Sequence, residues 1–281
     1  MQKAYGMTNR VVSISNRAQQ MVRPLFLMIL CTLLFSPTRA QIGEYRNEFA
    51  VGVGGGITMS TAGFTPEIPQ EQLIGKTFGL TFRYTGEKYF KSICAVVAEL
   101  NYAEVGWKER IWDRNDEPVI NSQTGLAEEY SRIINYLQVP FLARMGWGRE
   151  RRGFQAFFEI GPQLGFYLSE KTEANFDLDR PNVTNRVSHV SGPDIGEYHY
   201  SNMYHMPIEN KFDYGITAGL GLEFSNPHVG HFMIEGRYYF GLGNMYGNSK
   251  RDYFAKSNLY NIVIKATYLF DIVKSKNPKI K

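Results

Sequence analysis

Eight charged residues fall in phase with the polar side of a period-two pattern: Glu99, Glu159, Glu223 and Glu235 against Arg83, Arg144, Arg237 and Lys265. Facing carboxylates could trade protons as acid and base, a mixed lining could conduct ions or hold a ligand, and equal numbers of opposite charge could neutralise one another. Charges taken out of water must be paired, and a small closed sheet fills its interior with side chains. The equal count therefore favours a salt-bridge plug over a ligand or ion path, and that path over a catalytic carboxylate pair. Histidine chemistry is poorly supported. His189, His199 and His205 share a long polar segment with Asp194 and Glu197, but their spacings match no compact metal site. His231 alone sits in a periodic segment, at the end beside a short connection, away from the opposite rim where an activating histidine would have to stand beside its nucleophile or water. "GVGGG" (52–56) would need a helix opening behind it to hold a phosphate, and a strand pattern continues instead. No catalytic, cofactor or metal residue is assigned, and the chain is read as a non-enzyme.

The elements that must position these charges are strands. Eight segments alternate: "EFAVGVGGGIT", "KTFGLTFRYT", "ICAVVAELNYA", "IINYLQVPFLARM", "FQAFFEIGPQLGFYL", "FDYGITAGLGLEF", "HFMIEGRYYFGL" and "NLYNIVIKATYLF". One face is apolar and aromatic. The other carries glycine, polar residues and the eight charges. Connections alternate in length. "GEKYFK", "GWGRERRG" and "SNPHVG" are short, whereas about 18, 25, 43 and 14 residues follow the first, third, fifth and seventh segments. The longest, residues 169–211, holds Phe176, Tyr198, Tyr200 and Tyr204, aromatics suited to anchoring a contact surface.

The first forty residues differ from the rest. They carry Lys3, Arg10, Arg17, Arg23 and Arg39, no acid, the apolar run "PLFLMILCTLLF" and an exit through Thr38 and Ala40. This is the build of a secretory signal, and the apolar run is short of the roughly 20 residues a spanning helix needs. Five of the 31 basic residues and none of the 27 acidic ones lie there, so the remainder is at a net of −1. That removes the basic surface a nucleic-acid partner requires. One cysteine, Cys94, remains, which excludes an internal disulfide.

Alternation alone does not say which face points inward, because a soluble sheet would bury its apolar side. Three features favour a membrane barrel. The polar face is rich in glycine, as a narrow interior demands. Aromatics collect near segment ends, at Tyr84, Tyr102, Trp147, Tyr238, Tyr268 and Phe270, where interfacial girdles sit. The leader directs the chain out of the cytoplasm. The expected fold is all-β: an eight-stranded antiparallel up-and-down transmembrane barrel over 41–272, preceded by a signal peptide (1–40) and followed by a basic periplasmic tail (273–281). Outer-membrane lipid is its first expected partner.

The stretches "AELNYAEVGWK", "NYLQVPFLAR", "FFEIGPQLGFYL", "FDYGITAGLGLEF", "IEGRYYFGLGNM" and "IVIKATYLFDI" resemble the PorT-like small outer-membrane β-barrel proteins of Bacteroidota, often described as the outer membrane protein beta-barrel domain. The resemblance covers nearly all of the chain after the leader. It implies an outer-membrane location, and one branch implies a part in type IX secretion through binding secretion-system proteins at extracellular or periplasmic loops. The alternatives are a surface-exposed barrel with an adhesin or envelope-structural role, and a narrow channel or outer-membrane enzyme.

One residue resists the strand reading. Pro140 cannot donate to a ladder, and a closed barrel has no edge on which to place it. A bulge or locally broken ladder is predicted between the strands holding Pro140 and Pro162, freeing a carbonyl for a lumen donor such as Arg144.

Overall fold

The computed structural model describes residues 44–112, 115, 117–150, 152–178, 204, 206–247 and 254–274. The expected leader and the tail beyond Lys274 lie outside them. The strands are β1 (Glu44–Thr65), β2 (Gln70–Glu71), β3 (Leu73–Tyr89), β4 (Ser92–Arg110), β5 (Glu129–Gly148), β6 (Gly153–Ala174), β7 (Phe212–Asn226), β8 (Gly230–Gly241) and β9 (Lys256–Val273). Each long strand pairs antiparallel with its sequence neighbours, and β1 closes the ring on β9. The two-residue β2 adds to the upper end of β4. The barrel is therefore eight-stranded and up-and-down, with no open edge along its body.

The faces decide the solvent. Glu99, Arg144, Glu159, Glu223, Glu235 and Lys265 are buried inside, while Val53, Leu80, Ile160, Leu220, Ile234 and Ile264 lie bare on the outer wall. A soluble barrel would have these faces exchanged. Two rings of aromatics bound the bare zone. Phe154 and Phe224 (centroids 5.1 Å apart) and Tyr268 and Phe270 (4.5 Å) mark the short-turn end. Phe78 and Tyr102 (5.0 Å), Phe166 and Phe212 (5.5 Å) and Phe240 and Tyr260 (5.1 Å) mark the other. The stretch between the rings suits the roughly 9–11 residues of a tilted crossing. Short turns belong to the periplasmic side, and both β1's start and β9's end lie there.

The strands are longer than the alternating segments suggested. β1 and β6 each run 22 residues, β5 20 and β4 19. Much of the loop expected after the first alternating segment, and part of those after the third and fifth, is therefore wall, standing above the outer aromatic ring. The inward phase persists in this extension with apolar residues: Val105 and Trp107 follow Glu99 and Asn101, and Ile134 and Tyr136 precede Gln138. Together with Phe64, Tyr130, Tyr239, Tyr246 and Phe254 they fill the outer half of the barrel with an aromatic core.

The expected break between the two proline strands is present, but the break at Pro140 lies on the other seam. In the β4–β5 ladder, pairing stops after Ala98↔Phe141 and resumes at Asn101↔Gln138, across Pro140. In the β5–β6 ladder it stops after Pro140↔Gln163 and resumes at Ala143↔Ile160, across Pro162. The register is unchanged over both gaps, so neither is a bulge. Each proline lacks the N–H for one seam only, and each interrupts a different seam. The β5–β6 bulge lies instead between Asn135 and Tyr136.

Candidate functional site

All eight charges named from the sequence enter the lumen, each at most 7% exposed. They form two adjoining groups. In the middle, Arg237 makes a two-pronged contact with Glu99 (Nη1–Oε2 2.7 Å, Nη2–Oε1 2.8 Å). Its Nε meets Glu159 Oε1 at 2.6 Å, and Nη2 also donates to Glu235 Oε1 at 2.8 Å. Lys265 Nζ lies 2.8 Å from Glu99 Oε2 and 3.8 Å from Glu235. Thr81 and Asn101 donate the remaining bonds to Glu99, at 3.1 and 2.7 Å. Charge-assisted, two-pronged bonds of this kind are the strong ones.

Nearer the periplasm, Glu223 is the centre. Arg83 Nη1 reaches it at 2.7 Å, Arg144 joins it, and His231 Nδ1 stands 2.7 Å from Oε1. The Arg144 guanidinium also lies over the Phe157 ring, 3.6 Å from its centroid. Arg144 thus donates to Glu223 through Nη2 and to Met233 Sδ through Nη1 (2.8 Å), and the freed carbonyl proposed for it near Pro140 plays no part in these contacts. Glycines make the room. A Cβ on Gly54 would stand 2.6 Å from Lys265 Cε, and one on Gly219 2.7 Å from Arg237 Cγ. "GVGGG" lies within β1, its inner-face glycines leaving space for long lumen side chains.

Ser225, His231 and Asp271 form a hydrogen-bonded line, with Ser225 Oγ 2.8 Å from His231 Nδ1 and His231 Nε2 2.8 Å from Asp271 Oδ1. The geometry resembles a nucleophile–base–acid relay, but Ser225 is fully buried and its hydroxyl also donates to Glu223 at 3.1 Å. A buried nucleophile committed to a carboxylate has no route to a substrate. No group of three or more potential metal ligands occurs among the described residues.

The barrel floor was not foreseen. Arg46, 1% exposed, donates from Nε to Glu150 Oε2 at 3.1 Å, and Lys88 also pairs with Glu150. Glu150 lies in the β5–β6 turn, outside the membrane-crossing stretch. Burial would push its carboxyl up, but hydrogen bonds and charge from Lys88 and Arg46 hold it below the usual range. Because its folded value is depressed, its contribution is complete above the unfolded value, near 4.3, and is lost as pH falls through the folded one. NMR titration of the Glu150 carboxyl is expected to give a value below 4.3, with the Arg46 Nε–H protected from exchange until that group protonates. A normal carboxyl value would refute the floor contact.

In the outer half, Arg132 bonds Glu170 Oε2 through Nε and Nη2 (2.9 and 2.7 Å) and the Tyr246 hydroxyl through Nη1 (2.9 Å). The signal for this layer was present in "AEVGWKER" and "EYSRIINY", whose alternation continues in phase with the membrane strands. Phe176 and Tyr204 were expected on a contact surface. They are instead buried in the aromatic core, with Tyr204 4.5 Å from Tyr130 and 6.0 Å from Phe176 by ring centroids. The barrel extension offers them an apolar interior, and burying a large ring is worth about 1.5–3 kcal/mol. Tyr198 and Tyr200 lie outside the described residues, as do His189, His199 and His205.

Three solved structures align along most of this chain. Outer membrane protein OprG from Pseudomonas aeruginosa is 13% identical, over 81% of this chain and 98% of that one, with a TM-score of 0.39. Ail, the attachment invasion locus protein of Yersinia pestis, is 12% identical, over 79% and 99%, at 0.32. Outer Membrane Protein W of E. coli is 13% identical, over 82% and 100%, at 0.31. No curated protein matches the sequence. The family model described as outer membrane protein beta-barrel domain matches residues 39–247. That match spans most of the chain and agrees with the closed ladder, the inverted faces and the charged lumen: the protein belongs to the outer membrane protein beta-barrel family and resides in the outer membrane.

Proposed function

We propose that the barrel is a non-enzymatic, non-conducting component of the outer membrane that acts by binding partners, as a part of protein secretion of the PorT-like, type IX kind. The observation that carries the first half is the filled lumen. A floor contact, two ion-paired layers and an aromatic core succeed one another along the axis, so the working surfaces are the rims and outer loops. The secretion role rests on the sequence resemblance. A strain lacking this chain is expected to lose export of type IX cargo and to regain it on complementation. Undiminished export from the deletion strain would refute the secretion role. Large, stable conductance of the purified protein in planar bilayers would refute the plug.

A second reading, a surface barrel with an adhesin or envelope-structural role, is favoured by the wall standing above the outer aromatic ring on β1, β4, β5 and β6. Affinity purification separates the two: secretion components co-purify under the first, and the barrel is recovered alone or with host ligands under the second.

A further inference from the structure

The wall is locally open between the upper ends of β1 and β3. β1 and β3 pair as far as Ser60↔Leu73, and above that point β1 continues to Thr65 while β2 turns away to β4. A cavity of about 640 Å³ opens between them, bordered by Ala62, Ile68, Gln70, Glu71, Arg110 and Trp112. The protein fills one position of this edge with a side chain. Ala62 N–H donates to Gln70 Oε1 at 3.0 Å, and Gln70 Nε2 donates to the Ala62 carbonyl at 2.6 Å. The Gln70 carboxamide thus bonds the strand as a peptide group would.

Strand geometry extends the argument by one step. In an antiparallel ladder, alternate residues send both N–H and C=O to the same side, so Phe64 directs its pair into the cleft as Ala62 does. The opposite neighbour agrees. Ser257, across from Phe64 on β9, takes Asn244 Oδ1 with its N–H at 3.0 Å and gives its carbonyl to Met245 N–H at 2.9 Å. It leaves nothing for β1. No backbone partner for the Phe64 N–H or C=O occurs among the described residues.

We propose that this cleft is a peptide-binding site at the outer rim: an extended segment pairs with the main chain of Phe64, in line with the Gln70 carboxamide. The volume suits a few residues, within the usual 300–1,000 Å³ of ligand sites. Half-exposed Trp112 offers a flat apolar wall, and the exposed Arg110–Glu71 pair (2.7 Å) offers polar contacts at the rim. Main-chain bonds would supply affinity, as in strand addition to a sheet edge. The inference stands on the backbone of β1 and does not depend on which surface role the barrel serves.

The test uses the full chain in lipid nanodiscs. In the free protein, the Phe64 amide should exchange its hydrogen far faster than the Ala62 amide, by NMR. A displayed library of random octapeptides, panned on the nanodiscs, should then yield binders that shift and protect the Phe64 amide. Gln70→Ala supplies a signed control: it opens the Ala62 position to the peptide, so affinity should rise about tenfold, as expected for one or two added main-chain bonds. General loosening of the rim would lower it. Equal protection of Phe64 and Ala62 in the free protein, binders that leave the Phe64 amide unmoved, no enrichment over empty nanodiscs, or unchanged or weaker binding by the Gln70→Ala variant would each overturn the proposal.

Discussion

Replacing Arg237 by leucine is expected to destabilise the barrel by about 3–5 kcal/mol, the usual cost of removing one partner from a buried ion pair. Arg237 contacts Glu99, Glu159 and Glu235 at 2.6–2.8 Å. Without it, Lys265 alone remains to pair with Glu99 and Glu235, and Glu159 loses its ion pair. Urea unfolding of lipid-embedded protein, followed by tryptophan fluorescence, measures the loss. Arg237→Lys should fall between, because an ammonium keeps the charge but loses the planar fork that engages both Glu99 oxygens. Combining Arg237→Leu with Glu99→Gln should restore part of the deficit, since the second change removes a charge that the first left unpaired. A loss below about 1 kcal/mol for Arg237→Leu would mean that water or a neighbouring group solvates these carboxylates and that the plug is loose.

The residues in this network could be named from the sequence because period two is a hard constraint. A residue in phase with Glu99 or Lys265 in a membrane strand has only the lumen to enter. Which acid meets which base could not be read. Glu99 and Arg237 lie on β4 and β8, on opposite arcs of the ring, and Arg144 faces Glu159 across the ladder yet joins Glu223. Pairing across a lumen depends on barrel diameter and side-chain reach, neither of which is written in a strand's own pattern.

The outer half was misread for a different reason. Polar and charged residues on the solvent side of "AEVGWKER" and "EYSRIINY" look like loop composition, and the inward apolar positions between them are easy to discount. Above the membrane the outer face meets water, so both faces change character while the period does not. Tyr204 shows the limit of such reading. Its stretch of sequence, "SNMYHM", shows no strand period, and its ring packs on Tyr130, a contact made by the closed fold. Pro140 and Pro162 were correctly singled out as ladder breakers. Assigning both to one seam overlooked that a residue's N–H faces only one neighbour, so each proline can break only one side.

The opposite face of the wall carries the other large effect. Leu220→Arg, midway along β7 between Tyr214 and Phe224 and 66% exposed to the surroundings, is expected to cost about 2–4 kcal/mol in a lipid bilayer, while arginine at Phe224, on the periplasmic ring, should cost only about 0–1 kcal/mol for the charge. The contrast arises because a guanidinium at the rim reaches the headgroups, whereas one at the midplane must drag water or lipid polar groups inward. Refolding both variants into bilayers of defined thickness and comparing urea midpoints tests it, and thinner bilayers should shrink the gap. A soluble barrel would put Leu220 in water and treat the two sites alike, so equal costs would contradict the membrane placement. The depth at which the penalty peaks along Tyr214, Ile216, Leu220 and Leu222 should fall between the two aromatic rings. Such a profile would locate the membrane from energetics independently of the aromatic positions from which its boundaries were drawn.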